Sequence, residues 1–162
     1  MKIRSVVPNN RKKAFEVATF HRRFIFPYAK ANPRPSPDNR VRRAFVDEEL
    51  GREAFTYVLE RGQEGTIHIE HVLEYNQDPG YLRDLLLYKL TLEAQKRVEA
   101  SPLAKREIVR RLGTSATQFY RLLDQTNSRK SIDRMLALFH VLECDVALVV
   151  RAKRTRRTEE AA

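Results

Sequence analysis

The sequence predicts an α+β chain, with a small antiparallel-sheet domain first and an all-α domain after it. Three observations carry this. Between Met1 and Val72 the apolar residues come in short aromatic and β-branched runs separated by turn-forming segments, which is the pattern of strands. From Tyr81 the spacing changes, and Leu82, Leu85, Leu86, Leu90, Ala94 and Val98 recur near helical period. Ser101 to Gln125, SPLAKREIVRRLGTSATQFYRLLDQ, then reads as two short helices joined by a tight turn at Gly113-Thr114-Ser115.

In chain order, Met1 to Val7 is a candidate strand and Asn9 to Lys13 a basic turn. Phe15 to Tyr28, FEVATFHRRFIFPY, is strand or two short strands. Pro33, Pro35 and Pro37 alternate through Asn32–Asn39, which predicts an extended surface loop, read as a connector rather than a binding arm. Arg42 to Val46 is a further candidate strand. Phe55–Leu59 and Thr66–Val72 flank a turn with two glycines and predict a hairpin, with Ile67 and Ile69 on one side and His68 and Glu70 on the other. Asp78 can cap a helix and Pro79 can take its first position, so 81–100 is one long linking helix, or two with a joint near Thr91. Ser101-Pro102 opens the next helix on the same grounds. Gly113 suits a helix end and Ser115 a new cap, with Phe119, Leu122 and Leu123 turned to the core. Ser131 can cap a helix from Ile132 to Leu142, with Met135, Leu136, Phe139 and Leu142 inward, and Asp145–Val150 is a β-type run. The domains expected are 1–80, 81–150 and a disordered tail at 151–162.

The chain carries a net charge of +10, and the charge is placed in blocks. Residues 1–43 hold 12 Lys/Arg against 2 acids, residues 44–100 hold 6 against 12, and residues 101–157 hold 13 against 5. Basic blocks of this size attract polyanions, with nucleic acid first among them. The single Cys144 leaves no internal disulfide framework and fits a reducing cytoplasm. No N-terminal run resembles a signal peptide and no stretch approaches a membrane span, so a cytoplasmic protein is expected.

Residues from about Leu92 to Val150 resemble the lambda-repressor-like, Cro-type helix-turn-helix of bacterial and phage regulators. The residues that carry this are the helix Ala104–Gly113, the turn Thr114-Ser115, the segment Ala116–Leu123, a basic loop, and the helix Ile132–Leu142. Where that family closes with another helix, this chain has DVALVVR, an ending similar to that of some antitoxin-type members, where it serves pairing between subunits. The first part also resembles a small bacterial domain of unknown function, on Phe26-Pro27-Tyr28, Phe55-Thr56-Tyr57 and Tyr75-Asn76-Gln77-Asp78-Pro79. That second likeness implies no activity.

The first resemblance implies sequence-specific binding of double-stranded DNA by a transcriptional regulator that acts as a dimer. Ala116, Thr117, Gln118 and Arg121 are then base-facing: arginine can grip guanine, glutamine adenine, and methyl groups thymine. Lys105, Arg106, Ser115, Tyr120, Ser128, Arg129 and Lys130 are expected on phosphates. Val146–Val150 or the first domain would supply the dimer surface. The alternative is an antitoxin-like protein that grips a partner such as a toxin through the first domain and autoregulates its operon.

No catalytic residue, cofactor or metal is expected. The sequence contains no glycine-rich phosphate loop, nucleophile elbow or zinc-spaced cysteine pair. His68 and His71 would point to opposite faces of a strand, a poor arrangement for ligating one ion.

Overall fold

A computed structural model describes residues 1–153 of the 162-residue chain, so most of the expected tail lies outside the described residues. The architecture is mixed α and β, with two three-stranded antiparallel sheets and five α-helices among the described residues. The chain divides into two compact units, Met1–Leu85 and Leu86–Ala162. The division falls inside a helix, five residues beyond the boundary expected from sequence.

In the first unit, β1 (Ile3–Asn9), β2 (Ala14–Thr19) and β3 (Arg23–Pro27) form one sheet in that order. A second sheet is built from β4 (Val41–Val46), β5 (Ala54–Leu59) and β6 (Glu64–His68). The sequence suggested a single small sheet; two are formed, and both feed one core. Phe15 and Val17 from β2, Phe24 and Phe26 from β3, and Phe55, Tyr57 and Leu59 from β5 meet there. Phe15 is its hub, with the rings of Tyr28, Phe55 and Tyr57 at 4.7, 5.0 and 5.0 Å. On β1 the buried residues are Ile3 and Val6, three apart rather than two, because the register with β2 slips between Ile3 and Ser5. All six residues of β5 are buried, as befits the middle strand of its sheet.

The β5–β6 hairpin turns through Gly62, at φ 90°, a conformation that glycine adopts without strain. Its second strand ends sooner than the alternation predicts. β6 stops at His68, and α1 (Ile69–Tyr75) begins there, with the His68 Nδ1 accepting the Glu70 N–H at 3.3 Å. Ile69 and Val72 still reach the core, but from a helix. His71 therefore sits exposed on α1 and not on a strand face, so the argument from strand geometry does not apply to it.

Asp78 opens α2 (Pro79–Ala100) as expected, its Oδ2 accepting the Tyr81 N–H at 3.1 Å while Arg22 binds its Oδ1 at 2.6 Å. The helix runs unbroken through Thr91, whose hydroxyl donates to the Leu87 carbonyl at 2.7 Å. Leu86, expected inward, is 62% exposed, and Leu87 is buried instead. In the run Leu85-Leu86-Leu87 periodicity alone does not choose the face.

The second unit packs Thr91, Ala94 and Val98 of α2 around a core with α3 (Lys105–Leu112), α4 (Ala116–Leu123) and α5 (Ile132–Val141). Ser101-Pro102 does not open α3. The Ser101 hydroxyl takes the Leu103 N–H at 3.2 Å within a bend, and Ala104 occupies the cap position. On α5, Leu136 is 42% exposed and Leu138 takes its place in the core. Asp145–Val150 forms no strand: Val146, Leu148, Val149 and Val150 lie 47–89% exposed, with no neighbouring strand among the unit's described residues to pair with.

Candidate nucleic-acid interface

Helix α4 owes its start to two residues. Gly113 ends α3 at φ 69°, in the left-handed region, and its N–H bonds back to the Arg110 carbonyl at 3.1 Å. Ser115 then caps α4, accepting the Gln118 N–H at 3.2 Å. The helix turns Phe119 and Leu122 into the core, where both are buried, and leaves Leu123 half-buried. The opposite face carries Ala116, Thr117, Gln118 and Arg121, all exposed, so the four residues expected to face bases share one open surface. Tyr120 is 55% exposed, with its ring edge-on to Phe119 at 5.4 Å.

A concave surface of about 700 Å³ lies beside this face. Its charged and amide walls include Gln118, Arg121, Asn127, Arg129, Lys130 and Arg134. None of the three arginines forms an ion pair among the described residues. Asp124 also lines the cleft, but its Oδ1 accepts both the backbone N–H of Thr126 at 2.9 Å and its hydroxyl at 2.7 Å. Those bonds hold its carboxyl below the ordinary range. The loop is ordered by its own amides: Asn127 donates to the Arg121 carbonyl at 3.3 Å and accepts the Arg129 N–H at 3.0 Å.

The expected phosphate contacts divide into two groups. Lys105 and Arg106 are exposed in the first turn of α3, and Ser115, Ser128 and Arg129 are exposed around α4. Lys130 is placed differently. Its ammonium donates to the Thr91 hydroxyl at 2.6 Å, the Leu122 carbonyl at 2.9 Å and the Asp124 carbonyl at 2.7 Å. An ammonium has three donors. All are used to tie the end of α4 to α2, so Lys130 closes a helix end here and offers no N–H outward. Arg134, which sequence reasoning passed over, lines the cleft beside it. The available signal was its position two residues into α5, directly after the basic loop.

Two further arginines on α3 are held internally. Glu107 accepts from the Arg110 Nε at 2.9 Å and the Arg111 Nε at 3.0 Å, bonds that hold its carboxyl at about pKa 2 against an ordinary 4.5. A carboxyl with a depressed folded pKa stabilises the fold above its unfolded value and loses that contribution as pH falls through the folded one. The contribution of this cluster is therefore complete above about pH 4.5 and fades towards pH 2. A carboxyl-detected NMR titration should place Glu107 well below the ordinary glutamate value of 4.5, and R110A should return it towards that value.

Among the described residues no group of three or more His, Cys, Asp or Glu side chains is arranged to hold a metal ion, and no helix is long and apolar enough to cross a membrane. No protein-family model, curated protein or solved structure matches the chain.

Proposed function

We propose that this protein binds double-stranded DNA in a sequence-specific manner through α4, as a cytoplasmic transcriptional regulator of the lambda-repressor-like, helix-turn-helix kind. One observation carries the reading: the exposed face of α4 adjoins a cleft whose three arginines form no salt bridge among the described residues. A short capped helix with a polar outer face and arginines beside it suits a major groove and its flanking phosphates. Arg121 and Gln118 then read base edges, while Arg129, Arg134, Lys105 and Arg106 neutralise phosphates.

Selection from a random duplex library tests this. A defined consensus is expected, and R121A should cost about 1–3 kcal/mol on it and relax one position. R129A should weaken all sequences alike and lower the salt slope by about one. Recovery of no consensus, or an unchanged R121A, rejects the assignment.

A unit of this size reads only a few base pairs, so the active form is a dimer on a two-fold site. The exposed apolar run Val146–Val150 suits self-pairing, in which two copies satisfy each other's strand edge. Leu148, 89% exposed, should be central to that pairing. L148D is expected to shift sedimentation equilibrium to monomer and to lower affinity for a palindromic duplex. A dimer that survives it places the contact elsewhere.

A further inference from the structure

The proline loop of the first unit is more than a connector. It closes one side of a second cavity, of about 670 Å³, within the usual size of small-ligand pockets. Arg11 and Lys13 come from the β1–β2 turn, Tyr28 and Ala29 from the turn after β3, and Arg34, Pro35, Pro37 and Arg40 from the loop. Four cations and no acid line it. Arg11, Lys13, Arg34 and Arg40 form no ion pair among the described residues. The rest of the lining mixes the polar Asn10 and Ser36 with Ala29, the exposed Pro37, and the buried Tyr28 and Pro35 at its floor.

The walls are held in place before any ligand arrives. Ser36 and Asn39 exchange backbone hydrogen bonds at 3.1 Å, closing the loop on itself. The Asn39 side chain donates to Gln63 at 2.7 Å and accepts the Arg61 N–H at 3.0 Å. The buried Tyr57 donates its hydroxyl to the Pro33 carbonyl at 2.6 Å. Across the cavity, the Tyr28 hydroxyl donates to Asn10 Oδ1 at 3.0 Å, and Asn10 in turn donates to the Val41 carbonyl at 3.3 Å. Arg40 is aimed by its Nε, which donates to the Pro37 carbonyl at 3.3 Å and leaves the terminal nitrogens free of that bond. Lys13 holds φ 54°, in the left-handed region, a costly place for a residue with a side chain. Its carbonyl accepts the Tyr28 N–H at 2.9 Å. Unpaired cations held apart in a preformed site favour a multiply charged anion, and arginine forks match phosphate oxygens in particular.

We propose that this cavity is a binding site for a nucleoside phosphate, with the phosphate among Arg11, Arg34 and Arg40 and the ring system against Pro37, above the buried Tyr28 and Pro35. The site is built from residues of the first unit alone and the proposal does not depend on DNA binding. Calorimetry on the full chain at fixed ionic strength tests it, with the four nucleoside 5′-monophosphates, adenosine, inorganic phosphate and a short single-stranded oligonucleotide as probes. At least one monophosphate should bind with a sub-millimolar Kd, and adenosine and phosphate each at least tenfold more weakly. R34Q combined with R40Q should weaken binding tenfold or more. R11Q, in an exposed turn, should weaken it severalfold without disturbing the loop, and R121A should leave it unchanged. The proposal is overturned if no monophosphate binds, if phosphate binds as tightly as the nucleotide, if only the oligonucleotide binds, or if R121A and not the pocket variants removes binding.

Discussion

Replacing Phe119 with alanine is expected to destabilise the second unit by about 3–5 kcal/mol, the usual cost of emptying a phenylalanine site in a packed core. Phe119 is fully buried, and Ile108, Leu122, Met135 and Leu138 belong to the same cluster. Few residues in so small a core can move to fill the void. The loss should be read by hydrogen exchange, as faster exchange of the α3, α4 and α5 amides in the full chain. F119L, which keeps much of the volume, should recover a good part of the protection. The substitution also separates packing from recognition: α4 in F119A would lose both, whereas R121A should lose DNA affinity with no change in exchange.

The second large effect is expected at Gly65, which faces Tyr57 across the β5–β6 ladder. A methyl group at Gly65 would press on the Tyr57 ring, 2.7 Å from its Cε1 and closer still to its Cζ and hydroxyl. The ring has little freedom to yield. It is fully buried, packed at a tilt against Phe15 and tied through its hydroxyl to Pro33. G65A should therefore cost about 1–3 kcal/mol by overpacking, with the loss visible as a lower urea midpoint. Pairing it with Y57F tests the cause. Removing the hydroxyl relieves the closest contact, so the double variant should lose less than the sum of the two single ones. Fully additive losses would show that the methyl and the ring do not meet.

Much of this architecture was legible where local chemistry and packing agree. Asp78-Pro79 and Gly113-Thr114-Ser115 mark helix boundaries by capping, which needs no knowledge of the rest of the chain. The β5–β6 hairpin follows from alternation and its glycine turn. What misled the reading was chemistry that has to be completed by a partner. Asp145–Val150 has strand-forming side chains, but strand propensity expresses packing against a neighbour, and the described residues of the unit provide none. Thr66–Val72 alternates well enough for a strand, yet Ile69 and Val72 serve equally as one face of α1. Leu85-Leu86-Leu87 suits either helix face.

At the candidate site, the outward face of α4 could be read from the inward one, because Phe119 and Leu122 are an apolar pair at helical spacing. The role of Lys130 could not, since it depends on three oxygens, from α2, α4 and the residue after α4, that only the tertiary fold brings within reach. Arg134 was hidden for the complementary reason. On a helix read for its core positions, an outward arginine attracts no notice until a neighbouring loop makes a cleft with it. The proline loop looked like a connector because its anchors, Tyr57, Arg61 and Gln63, lie more than 20 residues away along the chain.

The most direct test of the central claim is an amide chemical-shift map of the full chain titrated with its selected duplex. The proposal predicts the largest changes at Ala116, Thr117, Gln118 and Arg121, smaller ones at Arg129 and Arg134, and little along β1–β6. Changes concentrated on the sheets, with α4 unmoved, would contradict it.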